Sequence, residues 1–322
     1  MKSQKLKILY ALSILLILFS LSCNKDNPVD GGVIDIGIVP APAYDSPVWH
    51  PSGLFIGFNH TPLGESRWGE QHFDWYSRGF WLINTDGTNM RRILPYTLQS
   101  PAWSPDGQWI AFVSGAQIFK MRFNGTTFDT TTITQLTTEG RNFFPAWSPD
   151  GQWIAYDRSL PDKSGPAGIW RMKFDGSLKH ALFGGSFPAW DPRGNILLGV
   201  IGISSLTAGT RFIKYNLTQS EVVDTLLATG NDNRMPRYSP DGIYIAFYSS
   251  GNLWLMDSVG NNKQQLTISG VDVSFGLPFS WSPDGSKIIY TRYQSNDWTM
   301  KNGVLWMIDM NNKTETQFTY NP

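Results

Sequence analysis

The chain has 322 residues, no formal net charge, and only 16% charged side chains against 14% aromatic ones. That balance supplies no basic surface for nucleic acid, and 31 Gly with 20 Pro mark a turn-rich chain rather than a helical one. A single cysteine excludes a disulfide framework and any multi-cysteine metal cluster.

Met1 to Lys7 is basic, and Ile8 to Leu21 is an almost wholly apolar run of 14 residues. This is the order of a secretory signal, and the run is too short to span a bilayer. Cys23 follows Ser20-Leu21-Ser22. The stretch resembles a bacterial lipoprotein signal, in which a small residue precedes a cysteine that becomes lipidated and N-terminal. It departs three positions before the cysteine, where Ser20 replaces the usual leucine. The expectation is a lipoprotein signal peptide over 1–22 and a lipid at Cys23, anchoring the chain in the cell envelope. That places it at the outer membrane, on its periplasmic or surface face. Removing 1–22 leaves 23 basic and 26 acidic residues. Residues 23–44 read as a polar tether. Within it, Val33 to Val39 alternates like a strand that could add to the outer edge of the last sheet.

Residues 45–322 carry a repeat. Its clearest copy is Pro145-Ala146-Trp147-Ser148-Pro149-Asp150-Gly151-Gln152-Trp153-Ile154-Ala155-Tyr156, with copies opening at Pro47, Pro101, Pro188, Pro236 and Pro278. Successive copies lie 42 to 54 residues apart, the length of one four-stranded propeller blade. Each reads as strand, tight turn, strand. Ser-Pro-Asp-Gly suits a type I turn closed by a left-handed glycine. The aromatic before the turn is Trp49, Trp103, Trp147, Trp190, Tyr238 or Trp281. Strand B follows the turn and is apolar at both parities, as in Trp109 to Val113, which fits a strand covered on both faces. Ala111, Ala155 and Ala246 recur at one register, where a small residue lets neighbouring sheets approach.

Strand C is Phe80 to Asn84 in unit one, Gln117 to Phe123 in unit two and Gly168 to Phe174 in unit three. It is Asn252 to Asp257 in unit five and Val304 to Asp309 in unit six. Asp86-Gly87, Asn124-Gly125 and Asp175-Gly176 turn the chain from C into D in the first three units. Units one and four lose the turn aspartate, in His50-Pro51-Ser52-Gly53 and Asp191-Pro192-Arg193-Gly194, which reads as drift. The fold class is all-β: a monomeric six-bladed β-propeller of four-stranded antiparallel blades.

With these residues in hand, the repeat resembles the TolB-type WD40-like (PD40) propeller repeat, whose signature is W-S-P-D-G-x-x-I-A-F. The match is close at Trp103 to Phe112, Trp147 to Tyr156 and Trp281 to Tyr290, and good at Tyr238 to Phe247. The resemblance implies a periplasmic or surface-exposed protein that binds proteins or glycans, in a lipoprotein form without the N-terminal domain of TolB. The fold itself hosts many functions.

Catalytic motifs are scarce. No Gly-x-Ser-x-Gly elbow occurs, which argues against a peptidase. His50, His60, His72 and His180 form no metal-ligand spacing and read as isolated surface residues, with His60 and His72 in one loop. No cofactor or metal is expected.

Strand alternation puts A–B and C–D turns on one face and the longer B–C and D–A connections on the other, where functional loops collect. The B–C loop of unit one, Asn59 to Gly79, carries Arg67, Trp68, His72, Phe73, Trp75 and Tyr76. That of unit six, Arg292 to Asn302, carries Tyr293, Asp297 and Trp298. Ring closure would join them into one aromatic patch of the kind binding hot spots favour. The D–A connections contribute Arg141, Asn142, Asp232 and Arg234 around the channel mouth. The leading expectation is an envelope scaffold binding a protein or glycan through the long-loop face. The alternative is a polysaccharide lyase or glycoside-cleaving enzyme with its site in the central cleft.

Overall fold

The computed structural model describes residues 43–65, 71–159, 165–202, 209–227, 232–267, 279–293 and 303–319. The signal segment, Cys23 and the Val33–Val39 run lie outside them. Six antiparallel four-stranded sheets are present among the described residues, and no helix. Blade 1 comprises Ala43–Trp49, Phe55–Thr61, Gly79–Asn84 and Arg91–Leu94; blade 2, Gln99–Trp103, Trp109–Ser114, Gln117–Phe123 and Phe128–Gln135. Blade 3 comprises Asn142–Trp147, Trp153–Arg158, Gly168–Lys173 and His180–Phe183; blade 4, Ser186–Trp190, Ile196–Gly202, Thr210–Asn216 and Glu221–Leu227. Blade 5 comprises Asn233–Tyr238, Tyr244–Ser249, Asn252–Asp257 and Gln264–Gln265; blade 6, Ser280–Trp281, Lys287–Tyr293, Gly303–Asp309 and Glu315–Gln317. These are strands A to D of each blade. The expected long loop of unit one is partly strand: Asn59 and His60 belong to strand B, and a small hairpin, Leu63–Glu65 with Gln71–Phe73, rises from the connection.

The repeated turn is held by its own side chains. The Gly107 N–H donates to the Ser104 carbonyl at 2.9 Å. Ser104 Oγ donates to Asp106 Oδ1 at 2.5 Å and accepts the Trp109 N–H at 2.9 Å. The same bonds recur at Ser148, Ser239 and Ser282. All six turn glycines have φ between 68° and 88°, where a side chain is disfavoured. The two units without the aspartate are compensated rather than worn. His50 Nδ1 pairs with Ser52 Oγ at 2.8 Å. In unit four the polarity is reversed: Arg193 Nε donates to Asp191 Oδ1 at 2.7 Å.

Strand A is bulged in blades 1 to 5. The residue before its proline, Ser46, Ser100, Phe144, Phe187 or Met235, has φ between 49° and 55°. The A–B register slips at that point in each blade. Proline lacks the N–H that the ladder would use, so a bulge there costs little pairing.

The core lies between blades. One apolar cluster joins blades 1 and 2, around Phe80, Leu82, Trp103 and Ile110. Others join blades 2 and 3, 3 and 4, 4 and 5, and 5 and 6. The last joins Phe58 and Ile83 of blade 1 to Ile289 and Leu305 of blade 6, closing the ring. The Trp49 N–H also donates to Ser280 Oγ at 2.9 Å across that seam. The small residues of strand B serve this approach: Ala111, Ala155 and Ala246 are fully buried. At Gly57, the equivalent in blade 1, a Cβ would lie 2.5 Å from Phe80.

The aromatic register has a bonding reason. Trp147 Nε1 donates to the Ala102 carbonyl at 3.0 Å, and Trp190 Nε1 to the Ala146 carbonyl at 2.9 Å. Each indole reaches back to strand A of the preceding blade, so the repeated tryptophan is a clasp between blades as well as apolar filling.

Candidate functional site

Strand A is the innermost strand, so its last residues and the A–B turns surround the axis. The residue before the aromatic is Val48, Ala102, Ala146, Ala189, Arg237 and Ser280 in blades 1 to 6. All six line one central funnel of about 560 Å³. Above them stand the six aromatics, Trp49, Trp103, Trp147, Trp190, Tyr238 and Trp281. The turn prolines Pro51, Pro105, Pro149, Pro192, Pro240 and Pro283 form the rim. The funnel opens on the tight-turn face. Phe279 also lines the funnel, and it belongs to one apolar cluster with Phe144, Phe187 and Met235 of blades 3 to 5.

Arg237 is the one charged side chain among the described residues lining this funnel. Its Nη1 donates to the Pro188 carbonyl at 3.0 Å. None of the ion pairs among the described residues includes it. Burial, with no countercharge among the described residues, pulls its pKa down to about 10.

The residues singled out from the sequence fall into three groups. Arg67, Trp68, Asp297 and Trp298 lie outside the described residues, as does Cys23. His72 lies on the small hairpin, and Tyr293 ends strand B of blade 6. Trp75 and Tyr76 are 64% and 97% exposed. Trp75 packs on Phe73 at 5.4 Å, with the Arg78 guanidinium 5.8 Å from its ring. Asp74 Oδ1 accepts the Tyr76 and Ser77 N–H groups, and Arg92 Nη1 donates to the Tyr76 carbonyl. An ordered loop thus holds two aromatics out towards solvent.

The D–A residues are more internally committed. Asn142 is buried, and its Nδ2 donates to Gln117 Oε1 at 3.0 Å and to the Glu139 carbonyl at 2.8 Å. It ties the start of blade 3 to strand C of blade 2 and to the connection between the two blades. Arg141 is exposed and lies 5.9 Å from the Phe143 ring. Asp232 and Arg234 pair with each other at 2.5 Å.

Two histidines are not surface residues. His50 is 8% exposed, stacks on Phe55 at 4.2 Å, and bonds through Nε2 to the Gly107 carbonyl of blade 2 at 3.1 Å. His60 is 4% exposed and stacks on Tyr44 at 4.1 Å. His50 thus fills the seam between blades 1 and 2, and His60 packs among the rings of its own blade. His180 is in strand D, where Nε2 accepts from Arg171 Nε at 2.8 Å. Among the described residues, no group of three or more His, Cys, Asp or Glu side chains could hold a metal ion.

Sequence reasoning anticipated a central cleft but looked for its residues in the longer loops, and so did not name the strand A residues that line the funnel. The signal was present: aligning the six copies on the aromatic shows Arg237 where every other copy has Val, Ala or Ser.

A family profile, the TolB beta propeller domain (PD40), matches residues 81–277. The chain belongs to this family. The uncharacterized protein Atu1656 of Agrobacterium fabrum is 28% identical over 214 residues, spanning 63% of this chain and 68% of that protein. The crystal structure of TolB from Acinetobacter baumannii superposes with a TM-score of 0.60 at 21% identity, over 86% of this chain. The chain spans 62% of that TolB chain. An oligogalacturonate lyase in complex with manganese matches with a TM-score of 0.51 at 11% identity, covering 83% of this chain and 89% of the lyase. At these identities the two structures share the fold with this member of the PD40 family, and the likeness extends no further than the fold.

Proposed function

We propose that the chain is a cell-envelope scaffold, anchored through a lipid at Cys23, that binds a segment of another protein in the central funnel. The observation that carries this is the lining. Proline and tryptophan supply rigid apolar surface, and no carboxylate or imidazole stands among the described lining residues to move a proton. A glycan presents many hydroxyls, which a funnel with so few polar side chains would leave unpaired. The rim prolines hold the site in shape before the ligand arrives, which lowers the ordering cost of binding. The exposed Trp75–Tyr76 pair on the opposite face is a second candidate contact surface.

The test is capture of envelope proteins and of soluble envelope glycans by the detergent-solubilised full chain. It is run beside Ala146→Phe, which fills the funnel, and a Trp75→Ala/Tyr76→Ala double variant. Loss of a protein partner in Ala146→Phe alone supports the reading. Unchanged capture by Ala146→Phe, or capture of glycans only, overturns it. Cys23→Ser should move the chain from the membrane fraction to the soluble one.

A further inference from the structure

A cation at a narrow point of an apolar funnel is costly unless something pairs with it. Five of the six equivalent positions avoid that cost with Val48, Ala102, Ala146, Ala189 and Ser280. The sixth is Arg237. Its one side-chain hydrogen bond among the described residues, to the Pro188 carbonyl, engages a single nitrogen of a five-donor guanidinium. A bare carbonyl does not neutralise it.

We infer that Arg237 receives a carboxylate from outside the chain, the free C-terminal carboxylate of a peptide whose last residues are apolar. This rests on reading the funnel as a binding site, and it names the group that binds there. The guanidinium matches a carboxylate in bidentate geometry, and such charge-assisted bonds are among the strongest available. The walls fit what must accompany that carboxylate: tryptophan faces and proline rings pack apolar side chains and give an acidic sugar's hydroxyls few partners. The volume, about 560 Å³, falls within the roughly 300–1,000 Å³ typical of ligand pockets. Ring symmetry supplies the positioning. One arginine among six otherwise small residues fixes where the chain end sits, and the rim above fixes the direction from which it enters.

The experiment is isothermal titration of the detergent-solubilised full chain with N-acetylated tetrapeptides ending in Leu or Phe, each as the free acid and as the C-terminal amide. The expected result is binding of the free acids and at least tenfold weaker binding of the amides. Arg237→Gln should abolish that preference and Arg237→Lys should keep part of it. Equal binding of acid and amide, a preference that survives Arg237→Gln, or binding of oligogalacturonate in place of peptides would each overturn the inference. The acid–amide comparison needs no variant, so a misfolded Arg237→Gln leaves it decisive. The two proposals fail separately. A captured envelope protein that is lost with Ala146→Phe yet unaffected by Arg237→Gln preserves the binding site and removes the carboxylate.

Discussion

Asp157 tests how the blades are held together. It lies in strand B of blade 3 and is 7% exposed. Burial pushes its carboxyl up to about 7, against hydrogen bonds from the Phe187 N–H and the Ser186 hydroxyl of blade 4 that favour the charged form. The folded chain therefore holds a proton between about pH 4 and pH 7 that the unfolded chain has released. Stability contributed by this group is complete below pH 4 and is lost as pH rises to 7. A shift from 3.8 to about 7 corresponds to a ceiling of about 4 kcal/mol. Asp157→Asn keeps an oxygen to accept the Phe187 N–H and removes the titration. Relative to wild type, the variant should be near neutral at pH 4.5 and more stable by about 1–4 kcal/mol at pH 8, a rise of several degrees in Tm. Urea unfolding followed by tryptophan fluorescence at pH 4.5, 6 and 8 reads this directly. The difference between variant and wild type matters, because Asp150, Asp241 and Asp284 have lowered pKa values and pull the wild-type curve the other way at acid pH. A difference that stays flat from pH 4.5 to 8 would refute the reasoning.

Two further pairs of variants separate causes that look alike in the sequence. Gly53→Ala and Gly107→Ala both force a side chain to φ near +70°, at a cost of about 1–2 kcal/mol. At Gly53 the added Cβ meets open space, whereas at Gly107 it lies 2.5 Å from His50 Nε2 at the seam of blades 1 and 2. Gly107→Ala should therefore lose about 1–3 kcal/mol more than Gly53→Ala, and equal losses in urea unfolding would remove the packing argument. Trp147→Phe deletes the indole bond to the Ala102 carbonyl, while Trp103 Nε1 is buried without a partner among the described residues. Trp147→Phe should cost about 1–2 kcal/mol more than Trp103→Phe. A larger loss in Trp103→Phe would show that volume, not the hydrogen bond, sets the value of the register.

The blades were legible because their causes are local. Turn residues, the pre-turn aromatic and the doubly apolar strand B each act within a dozen residues, and six copies multiply a weak signal. What was not legible acts between copies. His50 stands where four of the other five units have serine, in a loop-like tetrapeptide, yet the structure buries it against Phe55 and ties it to Gly107. His60 looked like part of a loop because strand B of blade 1 runs further than its apolar run. His50 is absorbed by a seam whose other wall comes from blade 2, and His60 by the rings of Tyr44 and Trp81 on the flanking strands of its own blade. The Asp191–Arg193 turn makes the converse point: both residues depart from the repeat, but the departure is internally balanced. Arg237 departs from the repeat at a position every blade aims at the axis, and no second substitution balances its charge among the described residues. In a ring of near-copies, an uncompensated break at the axis is a stronger functional signal than loop length. The five small residues at the same register show that the fold does not require an arginine there.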